Sequence, residues 1–434
     1  MRIDLPLRRL LPGRNGNLVL GRFFRIFSVD ALVKASGVLL LPVYLALMTQ
    51  EEYATYSYLT NVIGVLALVC NFGLYVPQSK LIHDVDEKRR GALLFTINSL
   101  LLLLIAASLL PVYALGLDEL IVSLLFSSSI DYTAYRHFIV LGVILAVYAQ
   151  MVLNYLLTRE RIANVQAYNL SRLVIGSTLT LGALFWIAGD KAEIRLAAYL
   201  FGEGVLLAGF LFFYLRQMRR RFDFGLAARI LQLGLPVMIS AVLGIIINFG
   251  DKFFIEKYCS LADLSIYFLG FTLAGIISAV FMSFQNVWLP LFLKEKDLAR
   301  NLARTKKLFV SLFFLFVALA LLIWLGTFGA IQAGILDRKY SPVLGLLPIL
   351  LAGSIASSLV GLLSSYTVYW GMTYVTIVVG VLMALVSVPL NYFAVTVYGI
   401  HGIAAALVLL NVGYGLLYFG FIRYRVATLG ATPS

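Results

Sequence analysis

Residues 308–331 read LFVSLFFLFVALALLIWLGTFGAI, a run of twenty-four positions without one charged side chain. At about 1.5 Å per residue such a run covers the roughly 30 Å hydrocarbon layer of a bilayer. In lipid every backbone N–H and C=O must be satisfied within the segment, so the run predicts a membrane-spanning helix.

Working outward, the pattern repeats along the whole chain. Breaking apolar windows at charge clusters and Pro/Gly turns predicts twelve spans. Six lie at 19–48, 53–76, 91–115, 138–158, 165–188 and 196–215, and six more at 231–254, 264–292, 308–331, 343–367, 372–395 and 400–422. The composition agrees: 61% of the 434 residues are hydrophobic and 13% charged, against roughly 45–50% and 25% in soluble domains. Mean hydropathy is +0.95. A cytosolic enzyme, a secreted disulfide scaffold and a nucleic-acid binder are all excluded by that balance.

The net charge of +13 is read as topology. Cytoplasmic loops carry the excess of Lys and Arg. Twenty-five of the 34 cations fall on one side: the N-terminal arm, the stretches after spans two, four, six and eight, and the tail. In that reading Arg172 is grouped with the loop after span four, and Arg195 with the sparse cations of the opposite side. Both termini are therefore expected in the cytoplasm. Residues 1–18 are expected to form an interfacial arm on anionic lipid, since Asp30 and Lys34 interrupt any signal-peptide core. The lobes are expected at 19–215 and 231–422, with a basic cytoplasmic linker at 216–230 and a tail at 423–434. Loops are too short for a soluble domain, so function must reside within the bundle. Cys70 and Cys259 are read as free thiols.

Six spans before the linker and six after place both halves in the same sense, as parallel repeats with a substrate path at their interface. Tyr53 to Leu59 opens span two much as Leu264 to Leu269 opens span eight, each after a short outer turn with acidic residues.

A charge near mid-span costs roughly 2.5–3.5 kcal/mol on insertion scales, so each such charge is expected to face protein or water. Span one carries Arg22, Arg25, Asp30 and Lys34; the last two stand four apart and can pair. Span seven carries Asp251 and Lys252, whose adjacent positions point about 100° apart, so that each is expected to find its own partner. Glu203 stands between two glycines in span six. The plainer readings are snorkelling for Arg22 and Arg25, bundle-stabilising pairing for Asp30 with Lys34, partial wetting for Asp251 and Lys252, and a simple hydrogen bond for Glu203. Ser283, Gln285 and Asn286 ahead of Pro290 are read mainly as helix–helix hydrogen-bonding groups, and Tyr366, Tyr369 and Trp370 as an interfacial aromatic belt. No Walker loop, metal-ligand spacing or nucleophile elbow is present. The acidic Asp84, Asp86 and Glu87 beside Lys88 to Arg90 are read as a solvated mixed-charge turn. A non-enzyme is expected.

Leu41-Pro42-Val43-Tyr44, Glu51-Glu52-Tyr53 and Asn71-Phe72-Gly73-Leu74 resemble the opening hairpin of the polysaccharide transporter family, the Wzx-type flippases of lipid-linked oligosaccharides. Gly234-Leu235-Pro236 followed by Asp251-Lys252 is similar to that family's seventh-helix pattern, with Lys252 where the family usually has Arg. Asn391 and Tyr398 to Ala406 resemble its entry to helix twelve. The resemblance implies the MATE-like fold of the multidrug/oligosaccharidyl-lipid/polysaccharide (MOP) superfamily: all-α, polytopic, twelve helices in two six-helix lobes around a central cavity. It further implies export of an undecaprenyl-diphosphate-linked oligosaccharide, an O-antigen, capsule or exopolysaccharide repeat unit, across a bacterial inner membrane. The implied partners are the bilayer, that lipid-linked sugar, and a polysaccharide polymerase with its chain-length regulator. Arg22, Arg25, Lys34 and Lys252 are then expected to handle the diphosphate. Asp30, Glu203 and Asp251 are expected to serve proton or sodium coupling or charge pairing; no other cofactor or metal is implied. The competing readings are a cation-coupled multidrug exporter, a membrane-embedded sugar polymerase and a peptidoglycan-precursor flippase, whose family has fourteen spans.

Overall fold

The structure, a computed structural model, describes residues 36–118, 130–372 and 374–428. Every regular element among the described residues is helical. The first lobe contains α1 (Ser36–Leu47), α2 (Gln50–Cys70), α3 (Tyr75–Asp84), α4 (Glu87–Ala114), α5 (Tyr132–Thr158), α6 (Ile162–Trp186) and α7 (Lys191–Leu215). The second contains α8 (Phe224–Tyr258), α9 (Leu261–Lys294), α10 (Leu298–Gln332), α11 (Val343–Tyr369) and α12 (Tyr374–Thr428). Nine helices among the described residues are long and apolar enough to cross a membrane. The last of them is two spans joined at Gly399, whose φ of 57° breaks the helix. The described residues thus form an all-helical, multi-span membrane protein.

Local chemistry sets the helix starts. Thr49 and Glu52 form a capping box at α2, and Ser260 and Asp263 form one at α9. Each box satisfies two otherwise orphaned N–H groups. The same device therefore opens the second helix of both halves. Asp131, Asp190, Asp223 and Asp297 cap α5, α7, α8 and α10 with their side chains.

Span two departs from its sequence-based limits. It ends at Cys70, and Phe72 and Gly73 adopt φ values of 52° and 67° before α3 begins. The turn is held where it meets α8: a Cβ on Gly73 would collide with the Gly234 carbonyl and lie 2.9 Å from Val237 Cβ. Two motif stretches far apart in sequence thus touch backbone to backbone, which only glycine permits.

Within the first lobe α6 packs along α7, while α2 and α7 pack on α5. In the second, α11 packs on α12 and α9, and α8 on α12. The lobes meet through α2, which lies against α9 and α8, and through α3 and α4 against α8. Tyr58 of α2 reaches Phe249 of α8, and Tyr53 meets Tyr340 edge-on at 6.5 Å. By contrast, α10 turns Phe314, Leu321 and Leu322 outward, as a helix bathed in acyl chains should.

Candidate functional site

Arg172 stands ten residues into α6, about 15 Å from its start by helical rise. It does not belong with the loop cations. Glu203 lies at the same depth on α7, and the Arg172 Nε donates to its Oε1. Arg172 Nη2 also donates to the Tyr199 hydroxyl at 2.8 Å. Gly202 faces α6 beside this pair, where an added Cβ would lie 3.3 Å from a Leu179 methyl and 3.8 Å from the Gly176 Cα. The pair is asymmetric in exposure: Glu203 is 7% exposed and Arg172 43%. Helix α6 is not among the nine described helices long and apolar enough to cross a membrane, and charged groups within a bundle almost always face protein or a water-filled cavity, so a guanidinium this open is expected to face water rather than acyl chains.

Nearer the turn between α1 and α2, on the face expected outside, Arg195 is buried in the first turns of α7. Its guanidinium lies 3.8 Å from the Tyr44 ring centre and 4.0 Å from that of Tyr56. Tyr44 in turn shares a hydrogen bond of 2.9 Å with Thr180 of α6. Arg195 is therefore a helix residue rather than a loop one, and Tyr56 lies within electrostatic reach of both arginines.

Asp251 and Lys252 sit near the end of α8 and are 4% and 1% exposed. They pair with each other, Lys252 Nζ donating to both carboxylate oxygens at 3.0 and 3.1 Å. Separate partners were expected because neighbouring Cβ atoms diverge; the lysine's four-carbon stem overcomes that divergence by folding back. Tyr267 of α9 donates to the same carboxylate at 2.6 Å, and the ammonium rests 3.8 Å from the Phe271 ring centre. Glu256, one turn further on, is 2% exposed and was not singled out in the sequence. A carboxylate four positions after Lys252 shares its helical stripe, which is the signal that could have found it.

Arg22, Arg25, Asp30 and Lys34 lie outside the described residues, as does the interfacial arm. Tyr366 is 1% exposed and donates to Thr305 Oγ1 at 2.9 Å. It packs in a cluster with Phe292 and Trp370. Gln285 reaches the Gly361 carbonyl of α11. Asp84 pairs with Arg229 and Glu87 with Arg90. Cys70 and Cys259 are free, and burial, with Asp263 beside it, pushes the Cys259 thiol up to about 11. No cluster of metal-ligating side chains occurs among the described residues. A hollow of about 700 Å³ between α6 and α7 is mostly apolar, and neither arginine lines it.

The face where α1 meets α2 is closed by contacts between lobes. Lys339 Nζ donates to the Met48 carbonyl at 3.0 Å, and Gln50 Nε2 donates to the Lys339 carbonyl at 3.0 Å. Tyr340 is fully buried there, and burial pushes its hydroxyl up to about 12.

Comparison with known proteins gives the fold a family. Among solved structures, the lipid II flippase MurJ in an inward closed conformation superposes with a TM-score of 0.76 at 13% identity, covering 92% of this chain and 87% of that one. An inward-facing multidrug resistance MATE family transporter of the MOP superfamily gives 0.66 at 15%, covering 94% and 96%. An outward-facing transporter of that kind gives 0.60 at 16%, covering 99% and 100%. No curated protein sequence matches the chain. The fold is thus MurJ- and MATE-like. The profile described as "Polysaccharide biosynthesis protein" matches residues 21–295, most of the chain. The chain belongs to the polysaccharide biosynthesis protein family.

Proposed function

We propose that the chain flips an undecaprenyl-diphosphate-linked oligosaccharide from the cytoplasmic to the outer leaflet of a bacterial inner membrane by alternating access. The observation that carries this reading is Arg172: a cation ten residues into α6, 43% exposed, held in place by Glu203 and Tyr199. Arginine suits a phosphate because its planar fork donates two parallel bonds. The prenyl tail stays in lipid while the charged head crosses beside this wall.

Arg22, Arg25 and Lys34 are assigned to recruiting the diphosphate on the cytoplasmic side, and Lys252 to holding it once the lobes rearrange and its pair with Asp251 opens. Glu203, Asp251 and Asp30 are the groups through which a proton or sodium ion would couple. An inside-negative potential favours outward movement of an anion by about 2.3 kcal/mol per charge per 100 mV. The protein is read as a transporter that makes and breaks no covalent bond, delivering its cargo to a polymerase and chain-length regulator.

Complementation of cells lacking an oligosaccharide flippase tests this. The wild-type chain should restore surface polysaccharide, and Arg172→Gln should not. Drug resistance conferred without any restored polysaccharide would overturn the reading in favour of a multidrug exporter.

A further inference from the structure

Arg195 is 8% exposed, yet among the described residues no carboxylate lies within ion-pair distance of it. Acids are near in sequence and in space, but the fold spends them elsewhere. Glu52 accepts from the backbone of Thr49 at 2.7 Å and of Lys191 at 3.0 Å. Asp190 caps α7 and accepts from the Tyr135 hydroxyl at 2.6 Å. What surrounds the guanidinium is aromatic: the faces of Tyr44 and Tyr56, with Tyr53 at 6.0 Å and the Met48 sulfur 3.4 Å from Nη1. Each such face contributes roughly 0.5–2 kcal/mol, which shelters a cation without neutralising it.

The cage lies directly beneath the closure between the lobes. Met48 touches Arg195 through its sulfur and accepts from Lys339 of the second lobe through its carbonyl. Tyr53 borders the cage on one side and packs against Tyr340 on the other. Along α7, Arg195 precedes Glu203 by eight residues, about 12 Å of rise toward that closed face. Separating the lobes would release Met48 and Tyr53, the two cage members that the second lobe holds, beside an arginine with no internal acid to retain it.

Resting on the flippase reading above, we infer that Arg195 is a second diphosphate-receiving group, kept in its aromatic cage while Lys339 and Tyr340 fix Met48 and Tyr53 beside it, and presented to the substrate's phosphates when those contacts between the lobes part. The lipid's anionic head passes from Arg172 to Arg195, and the aromatic faces reclaim the guanidinium when the head leaves. A buried cation lacking an acid is suited to such a cycle, because no internal carboxylate competes with the arriving phosphate.

The test uses the full chain with Cys70→Ser and Cys259→Ser. Introduced Gln50→Cys and Lys339→Cys are joined by a reducible cross-linker to lock the closure. Phenylglyoxal labelling of the native Arg195, read by peptide mass spectrometry, should be slow in the locked protein and faster by roughly tenfold or more once the linker is cleaved. Farnesyl diphosphate should suppress labelling of the unlocked protein, and farnesol should not. Equal labelling in both states, or no protection by the diphosphate, overturns the assignment. In reconstituted vesicles Arg195→Gln should slow translocation roughly tenfold or more, the loss of a charge-assisted hydrogen bond. It should leave farnesyl diphosphate binding to the locked form within about threefold, and Arg195→Lys should fall between. A wild-type chain that binds no farnesyl diphosphate in either state overturns the flippase reading itself. A chain that binds and transports equally well with Arg195→Gln overturns only the role of Arg195.

Discussion

The Asp251–Lys252 pair offers the sharpest energetic test of the packing between α8 and α9. Both groups are nearly fully buried, and Tyr267 holds the carboxylate at 2.6 Å. Removing one partner of a buried pair strands the other, at about 3–5 kcal/mol. Lys252→Met should therefore cost about that much, since Asp251 keeps only neutral donors. Asp251→Leu should cost less than Lys252→Met, because the ammonium keeps the Phe271 face, worth roughly 0.5–2 kcal/mol. Replacing both, with Tyr267→Phe so that no hydroxyl is orphaned, should be near neutral or stabilising. Equilibrium unfolding of the full chain in mixed micelles gives the cycle, and its coupling energy should be several kcal/mol, far outside the roughly 0.3–0.5 kcal/mol of independent sites. Single variants costing under about 1 kcal/mol and adding simply would refute the reasoning, because they would mean that the pair is solvated.

Gly73→Ala should abolish accumulation of folded protein, since its added Cβ meets the Gly234 carbonyl at a φ of 67°, while Gly209→Ala, with open space around it, should be neutral; fluorescence-detected size-exclusion chromatography separates the two. Tyr44→Phe removes the hydrogen bond to Thr180 and should lower thermal stability modestly, by about 0.5–1.5 kcal/mol. In the loop after α10, the Lys339 backbone N–H and then its ammonium hold the Asp337 carboxyl below its ordinary 3.8. A depressed carboxylate stabilises above its unfolded value and loses that contribution as pH falls through its folded value. The loss is thus confined to pH below about 4, and Asp337→Asn should flatten that acid limb in a pH series of thermal melts.

The spans were legible because hydropathy accumulates locally: a run such as 308–331 needs no partner to be recognised. The capping boxes at Thr49 and Ser260 are equally local. The buried charges were harder. Arg172 reads as a loop cation because its partner Glu203 stands on another helix, and only the packing of α6 along α7 brings them together. Arg195 was placed in a loop for the same reason, its cage being assembled from α1, α2 and α7. Asp251 and Lys252 were judged by the directions of their Cβ atoms, which say little about where a long flexible side chain ends. The break at Phe72 and Gly73 depends on a backbone contact with α8 that sequence spacing does not encode.

Arg172, ten residues into α6, is assigned to carry an anionic lipid head across the membrane. That assignment is tested most directly by reconstituting the purified chain in vesicles with a fluorescent polyprenyl-diphosphate sugar and following its appearance in the opposite leaflet. The expected result is translocation by the wild type, a loss of roughly tenfold to hundredfold for Arg172→Gln from the missing charge-assisted bonds, and partial recovery for Arg172→Lys. Translocation by Arg172→Gln at the wild-type rate, or equal transport of an uncharged analogue lacking the phosphates, would contradict it.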